Sequence, residues 1–320
     1  MSTDREILGV ILAAGKGSRM YPFNERLPKP LLPILNRPLL SIQIDHMARI
    51  GIRKVIIVIG YYGFEIVREI GDGKEWGIEI EYVDQEETLG IAHALGYLES
   101  RIDKPFLLFL GDIFFHTQDM SKMVKPVLEG RANAVLGATH EADLSAVRRN
   151  FAIIQGPRGR VERVIEKPRY ARTTIKGCGL YVFDLNIFDA VRRTPRTAGR
   201  DEYEITDSIQ LMIDDGFQLE VMDDIKDDIN LTYPEDLLLA NQLELDHRGI
   251  PRWIGKEFNG PPEDQIKRSV VGDRVRVPPS IHIQDTIIFS GVELDDSRNL
   301  NRMIVTPDQH LSLDAVASRS

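Results

Sequence analysis

The chain has 320 residues, 42% hydrophobic and 28% charged, a globular balance that suits one large domain with an appendage, or two domains. A formal net charge of −9 argues against a nucleic-acid binder, and no apolar run reaches the roughly 18 residues of a membrane span, so neither partner is expected. The single cysteine, Cys178, excludes an internal disulfide; with no signal-peptide pattern in MSTDREILGVILAAGKG, the expected compartment is the cytoplasm.

Residues 6–12, EILGVIL, form a short apolar run that predicts a buried parallel strand. A glycine-rich basic loop follows. Pro38 then opens a segment with Leu40, Ile44, Met47 and Ile50 at helical spacing, closed by Gly51. Proline in the first turn and glycine past the end are helix punctuation. Residues 54–59, KVIIVI, predict a second buried strand and 63–70 a helix. Residues 78–83 alternate as a strand, 90–100 are helical, and 105–110, PFLLFL, predict a third apolar strand ending in Gly111-Asp112.

Strands alternating with helices imply crossover units and a mainly parallel, doubly wound sheet, with ligands at the carboxyl ends of the strands. After residue 150 the strands shorten: 151–155, 160–166 and 179–183 are expected strands, 203–215 and 234–247 helices. This half is assigned to the same domain, 1–245, extending the sheet. Residues 246–268, rich in Pro, Gly and charge, are expected to be a linker. In 269–320, Val271, Val277, Ile283 and Phe289 recur every six residues, with Val275, Ile281 and Ile287 on a second row. A six-residue period marks a parallel β-helix, here a stub of about one coil that cannot bury its own core. An ordinary pair of strands is the alternative.

Gly15-Lys16-Gly17-Ser18-Arg19 follows the first strand, where a phosphate loop belongs. Glycines let backbone N–H groups approach phosphate oxygens, and Arg19 can fork onto a phosphate. The loop is neither a P-loop nor a dinucleotide fingerprint, because the glycine spacing fails for both. Pro28-Lys29-Pro30 sets a lysine on a stiff backbone close behind it.

The whole run LAAGKGSRMYPFNERLPKPLLPILNRPLL resembles the signature of the sugar-phosphate nucleotidylyltransferases. QEETLGIAHA at 85–94, Gly111-Asp112, Glu166-Lys167-Pro168, EITD at 204–207 and YPEDLLLAN at 233–241 resemble later motifs of the same family, in order. The resemblance implies a Rossmann-like mixed α/β fold, an NTP and a sugar 1-phosphate as substrates, Mg²⁺ as cofactor, and a homo-oligomer. It implies that Ala13, Ala14, Gly15, Gln85 and Gly90 contact the base, and that Gly17, Ser18 and Arg19 hold phosphates. Lys29 would neutralise charge at the reacting centre. Asp112 would bind the metal, Glu166 the sugar hydroxyls and Lys167 the sugar phosphate, with Gly179 lining the sugar pocket.

Glu204 and Asp207 are better explained as helix-start residues favoured by the dipole. Two positions depart from the family pattern. Asn230 stands where a second metal-binding aspartate is usual, leaving Asp228 as a substitute after a register shift. Ala152 stands where a glycine lies against the sugar. The base is expected to be a pyrimidine, from UTP or dTTP, with GTP the minority reading. A nucleotidylyltransferase acting on a non-sugar phosphate, and a weakly catalytic regulatory homologue, are the competing functions.

Overall fold

The computed structural model describes residues 6–314 except 157, 158 and 200; the outermost residues of the expected first and last segments lie outside them. The strands and helices begin with β1 (Leu8–Leu12), a small hairpin β2 (Pro33–Ile34) and β3 (Arg37–Pro38), and α1 (Leu39–Arg49). Then come β4 (Lys54–Ile59), α2 (Gly63–Ile70), β5 (Glu79–Asp84), α3 (Ile91–Gly96), β6 (Phe106–Leu110), β7 (Ile113–Thr117) and α4 (Ser121–Leu128). The chain continues through β8 (Ala134–His140), α5 (Leu144–Arg149), β9 (Phe151–Gln155), β10 (Val161–Glu166), β11 (Ile175–Phe183), α6 (Ile187–Arg193) and α7 (Ile205–Asp214). Next are β12 (Leu219–Met222), β13 (Ile225–Asn230) and α8 (Pro234–Arg248).

These elements form two compact units, one running to Lys16 and from Gln43 to Asp228, the other comprising Gly17–Ile42 and the chain from Ile229 onward. The first unit is built on a nine-stranded sheet of order β10-β9-β11-β6-β1-β4-β5, with β8 on β11 and β12 on β8. β6, β1, β4 and β5 are parallel, and β11 joins β6 antiparallel. The parallel strands are apolar throughout because both their faces are covered; Val10, Ile56 and Leu108 are fully buried. Leu12 pairs with both Val58 and Leu110, so three carboxyl ends are level. The chain lays β4 and β5 on one side of β1, then returns to place β6 on the other. That reversal opens a crevice at the carboxyl ends of β1 and β6.

In the second unit, Asn241 on α8 fixes the β2–β3 hairpin. Its Oδ1 accepts from the Leu35 N–H at 2.9 Å, and its Nδ2 donates to the carbonyls of Pro33 at 3.0 Å and Leu237 at 2.9 Å. The remaining strands are β14 (Arg252–Ile254), β15 (Ile266–Lys267), β16 (Ser269–Val271), β17 (Ile283–Gln284), β18 (Ile287–Ile288), β19 (Leu300–Asn301), β20 (Met303–Thr306) and β21 (Gln309–Ser312). β14-β16-β18-β20 and β15-β17-β19 are parallel ladders, and Asn259, Arg276 and Glu293 form a third row of bridges.

Three expectations for this region are corrected. Residues 246–268 are not a linker: α8 runs to Arg248, and β14 and β15 begin the ladders. The repeat is 17 residues, as in Arg252↔Ser269 and Ile266↔Ile283↔Leu300, so the six-residue rows slip by one position per turn of the chain. The segment also buries its own core: Ile266, Val271, Ile283, Ile288, Leu300 and Val305 belong to one buried cluster. A polar-looking stretch hid the first rung because a short strand with one inward residue carries little hydrophobic signal.

Candidate active site

The loop after β1 belongs to both units, crossing from the first to the second between Lys16 and Gly17. On the first side, Ala13 and Ala14 are buried and Gly15 is exposed. The Ala13 N–H donates to the Val58 carbonyl at 2.8 Å, and the Gly111 N–H donates to the Leu12 carbonyl at 2.8 Å. Ala13–Gly15 and Gly111-Asp112 therefore meet at the strand-order reversal, and Asp112 is half-buried there. Gln85 and Gly90 follow β5: Gln85 is buried, and Gly90 caps α3.

The expected sugar side lies on the antiparallel part of the same sheet. Glu166 ends β10, and Lys167 follows at φ 40°, its N–H held by the Asn150 carbonyl at 2.7 Å. A non-glycine residue with left-handed backbone is strained, a feature that clusters at functional sites. The Lys167 ammonium lies 3.6 Å from Glu166 Oε1, and the Thr206 hydroxyl donates to Glu166 Oε2 at 3.4 Å. Ala152 and Gly179 lie inside β9 and β11 and are buried. Gly179, at φ +68°, falls in the register shift of β11, where an added Cβ would meet Ile113 Cδ1 at 2.5 Å. Glu204 and Asp207 fall at the N-cap and first turn of α7, and burial followed by the Glu204 charge pushes the Asp207 carboxyl up.

Asp228 is held in a buried ion pair. Its carboxylate is 3.1 Å from the Lys176 ammonium, whose other partner is Glu141 at 2.6 Å. The side chains of Lys176 and Asp228 are 6% and 7% exposed, so this pair is committed to the interior. Lys176 stands opposite both Thr139 and Ala152 in the sheet. Burial pushes the Asp228 carboxyl up against the pull of Lys176. Sequence spacing could not show this, because the two partners are remote in the chain.

On the second side, Gly17 has φ +60° and opens a turn of 3-10 helix over Ser18–Met20. A Cβ at Gly17 would lie 2.9 Å from Lys29 Cγ and 3.0 Å from its Cε, so the missing side chain makes room for the lysine stem. Lys29 opens its own 3-10 turn, Lys29–Leu31, after extended Pro28, and is 8% exposed. Arg19 is exposed, with its guanidinium 5.8 Å from the Tyr233 ring centroid, a cation–π distance. Tyr233 is the N-cap of α8. There the Asp236 carboxylate accepts the N–H groups of Thr232 at 2.9 Å and Tyr233 at 2.6 Å. Burial pushes the Asp236 carboxyl up, while those N–H groups and Lys29 pull it down. Asn230 is exposed, and its Oδ1 accepts from the Thr232 hydroxyl at 3.2 Å.

Gly17 and Lys29 thus lie against each other, and Ala13–Gly15 meet Gly111-Asp112 at the strand ends. Sequence reasoning missed Tyr233, which steadies Arg19, and His93, which contacts Gln85 at 3.5 Å. Both were within quoted motifs, but neither is at a spacing that reveals its partner.

Residues 8–238 match the Nucleotidyl transferase family. The chain is 34% identical over 236 residues to the UTP–glucose-1-phosphate uridylyltransferase AglF of Haloferax volcanii, covering 73% of this chain and 94% of that one. It is 31% identical over 294 residues to a glucose-1-phosphate thymidylyltransferase of Streptomyces antibioticus, covering 90% and 79%. A solved Bacillus anthracis structure, assigned as a glucose-1-phosphate thymidylyltransferase, is 26% identical with a TM-score of 0.67, over 75% of this chain and 96% of that one. The chain therefore belongs to the nucleotidyl transferase family, among the sugar-phosphate nucleotidyltransferases, and its central sheet is the mixed α/β Rossmann-like fold of that family.

Proposed function

We propose that this protein transfers a nucleotidyl group from UTP or dTTP to a sugar 1-phosphate, releasing pyrophosphate. The observation that carries this reading is the fitted pair of Gly17 and Lys29: a left-handed glycine shaped around a buried lysine stem immediately after the phosphate-loop strand. A surface lysine has no need of that shaping. The relatives named for UTP and for thymidylyl transfer support the pyrimidine.

The sugar phosphate is already an anionic nucleophile, so no general base is required. The barrier is repulsion and orientation between two polyanions, and catalysis is mostly cation placement. Arg19 and Lys29 are assigned to the triphosphate and Lys167 to the sugar phosphate. Gly17 and Ser18 would donate backbone N–H groups to phosphate oxygens. Ala13–Gly15, Gln85 and Gly90 would hold the base, and Ala152, Glu166 and Gly179 the sugar.

Asp112 offers a hard carboxylate oxygen at the strand ends, the donor chemistry Mg²⁺ prefers. When bound, Mg²⁺ would polarise phosphoryl oxygens. Asn230 as a second ligand rests on the resemblance, with its amide oxygen the donor. We read the C-terminal ladders as a parallel β-helix of 17-residue turns, and a homo-oligomer in the cytoplasm is the working expectation, which light scattering would test for oligomeric state. Among the described residues, no helix is long and apolar enough to cross a membrane.

Pyrophosphate release measured over four nucleoside triphosphates and several sugar phosphates, with and without Mg²⁺, tests the reading. UTP or dTTP with a hexose 1-phosphate should give the highest turnover. Lys29→Ala and Asp112→Ala should each lose about 10²–10³-fold in turnover, the scale of one electrostatic group at a reacting centre, while melting near the parent temperature. Near-normal turnover in either variant removes its assigned role.

A further inference from the structure

Gln85 is assigned to the base, and an amide can present either its oxygen or its nitrogen. Its surroundings decide which. Gln85 Nε2 lies 2.8 Å from the Glu87 carbonyl and 3.5 Å from His93 Nδ1. The carbonyl can only accept, so the nitrogen must donate to it. His93 Nδ1 is an acceptor when the ring carries its proton on Nε2. Both neighbours then hold the amide nitrogen, and Oε1 is left to meet a ligand.

His93 is itself firmly seated. Its ring stacks on Tyr203 at 5.8 Å and meets Tyr97 edge-on at 4.9 Å. The Tyr203 backbone in turn grips the segment leading to α3: its N–H donates to Leu89 at 2.8 Å, and its carbonyl accepts from Ala92 at 3.1 Å. Gly90 passes so close that an added Cβ would lie 2.5 Å from the Tyr203 carbonyl oxygen, at φ +109°. The same rings line an apolar cavity of about 340 Å³ with Ala92 and Val191, and its charged lining residues, Glu99 and Arg192, are paired with each other.

We infer that His93 is a positioning residue for base selection: through Nδ1 it holds the Gln85 amide with its oxygen toward the base. This rests on Gln85 reading the base. An outward acceptor pairs with the N3–H of uracil or thymine and faces a lone pair at N3 of cytosine.

The test is the ratio of kcat/KM for UTP to that for CTP, on the full-length protein. His93→Phe keeps the ring stack and loses the acceptor; its ratio should be about tenfold lower than the parent's, the energy of one lost hydrogen bond. His93→Asn restores an acceptor near Nδ1 and should recover much of the ratio. Gln85→Leu separates the two readings. If Gln85→Leu collapses the ratio while His93→Phe leaves it unchanged, the inference about His93 is overturned and base reading by Gln85 stands. If Gln85→Leu leaves the ratio unchanged, both are overturned. If His93→Asn recovers none of the ratio lost in His93→Phe while melting near the parent temperature, the acceptor role of His93 is overturned.

Discussion

Gly17 shows how much a single residue type can settle in this protein. Its φ of +60° lies where a Cβ costs roughly 1–2 kcal/mol, and a Cβ there would meet the Lys29 stem. Gly17→Ala should therefore displace the lysine while leaving the fold largely intact. Turnover should fall by at least tenfold with a melting temperature within a few degrees of the parent; unchanged turnover would mean that the loop tolerates a different course. The sequence announced this position through GKGSR and PKP, since glycine and proline carry their backbone geometry with them. It could not announce Tyr233 against Arg19, or His93 against Gln85. Those contacts depend on side-chain directions that only the packed helices set.

At the level of elements, the clearest test is the ion cluster joining Lys176 on β11, Glu141 just after β8 and Asp228 on β13. Lys176 lies between Glu141 and Asp228, and breaking a buried pair by removing one partner costs about 3–5 kcal/mol. Lys176→Met should lower the melting temperature accordingly, measured by calorimetry. The sign of its pH dependence follows from Asp228. A carboxyl already pushed up by burial contributes stability that is present at low pH and lost as pH rises through its folded value. Without Lys176 that carboxyl rises further. The deficit of the variant should be largest at neutral pH and shrink toward acid; a deficit independent of pH would show that the lost packing, and not the charge, dominates. The apolar runs at 54–59 and 105–110 were plain in the sequence because buried parallel strands need uniform hydrophobicity. Lys176, in a strand of the same sheet, gave no such sign: its partners lie 35 residues before and 52 after it, by the positions of Glu141 and Asp228.

For the molecule as a whole, the division of the chain matters more than its length. The second unit combines Gly17–Ile42 with the chain from Ile229, and within it Leu35, Leu245 and Val270 share one buried cluster. Asn36 Nδ2 also donates to the Val271 carbonyl at 3.1 Å. Ending the chain after Gly249 should strip that cluster of Val270 and remove the Asn36–Val271 hydrogen bond, leaving the β2–β3 hairpin held by α8 alone. The truncated protein is expected to lose soluble yield and nucleotidyl transfer together; a soluble truncation with full turnover would show the parallel ladders to be dispensable.

The sequence by itself determined the alternating strands and helices, the glycine loop after β1, the stiffened Lys29 and the family. Each is written locally, in periodicity or in residues whose backbone freedom is fixed by their own chemistry. Tertiary structure decided the rest. It withdrew Asp228 into an ion pair, turned a supposed linker into the first rungs of a 17-residue repeat, and set His93 beside Gln85. These depend on contacts between residues far apart in the chain, whose energies exist only once the fold has brought them together.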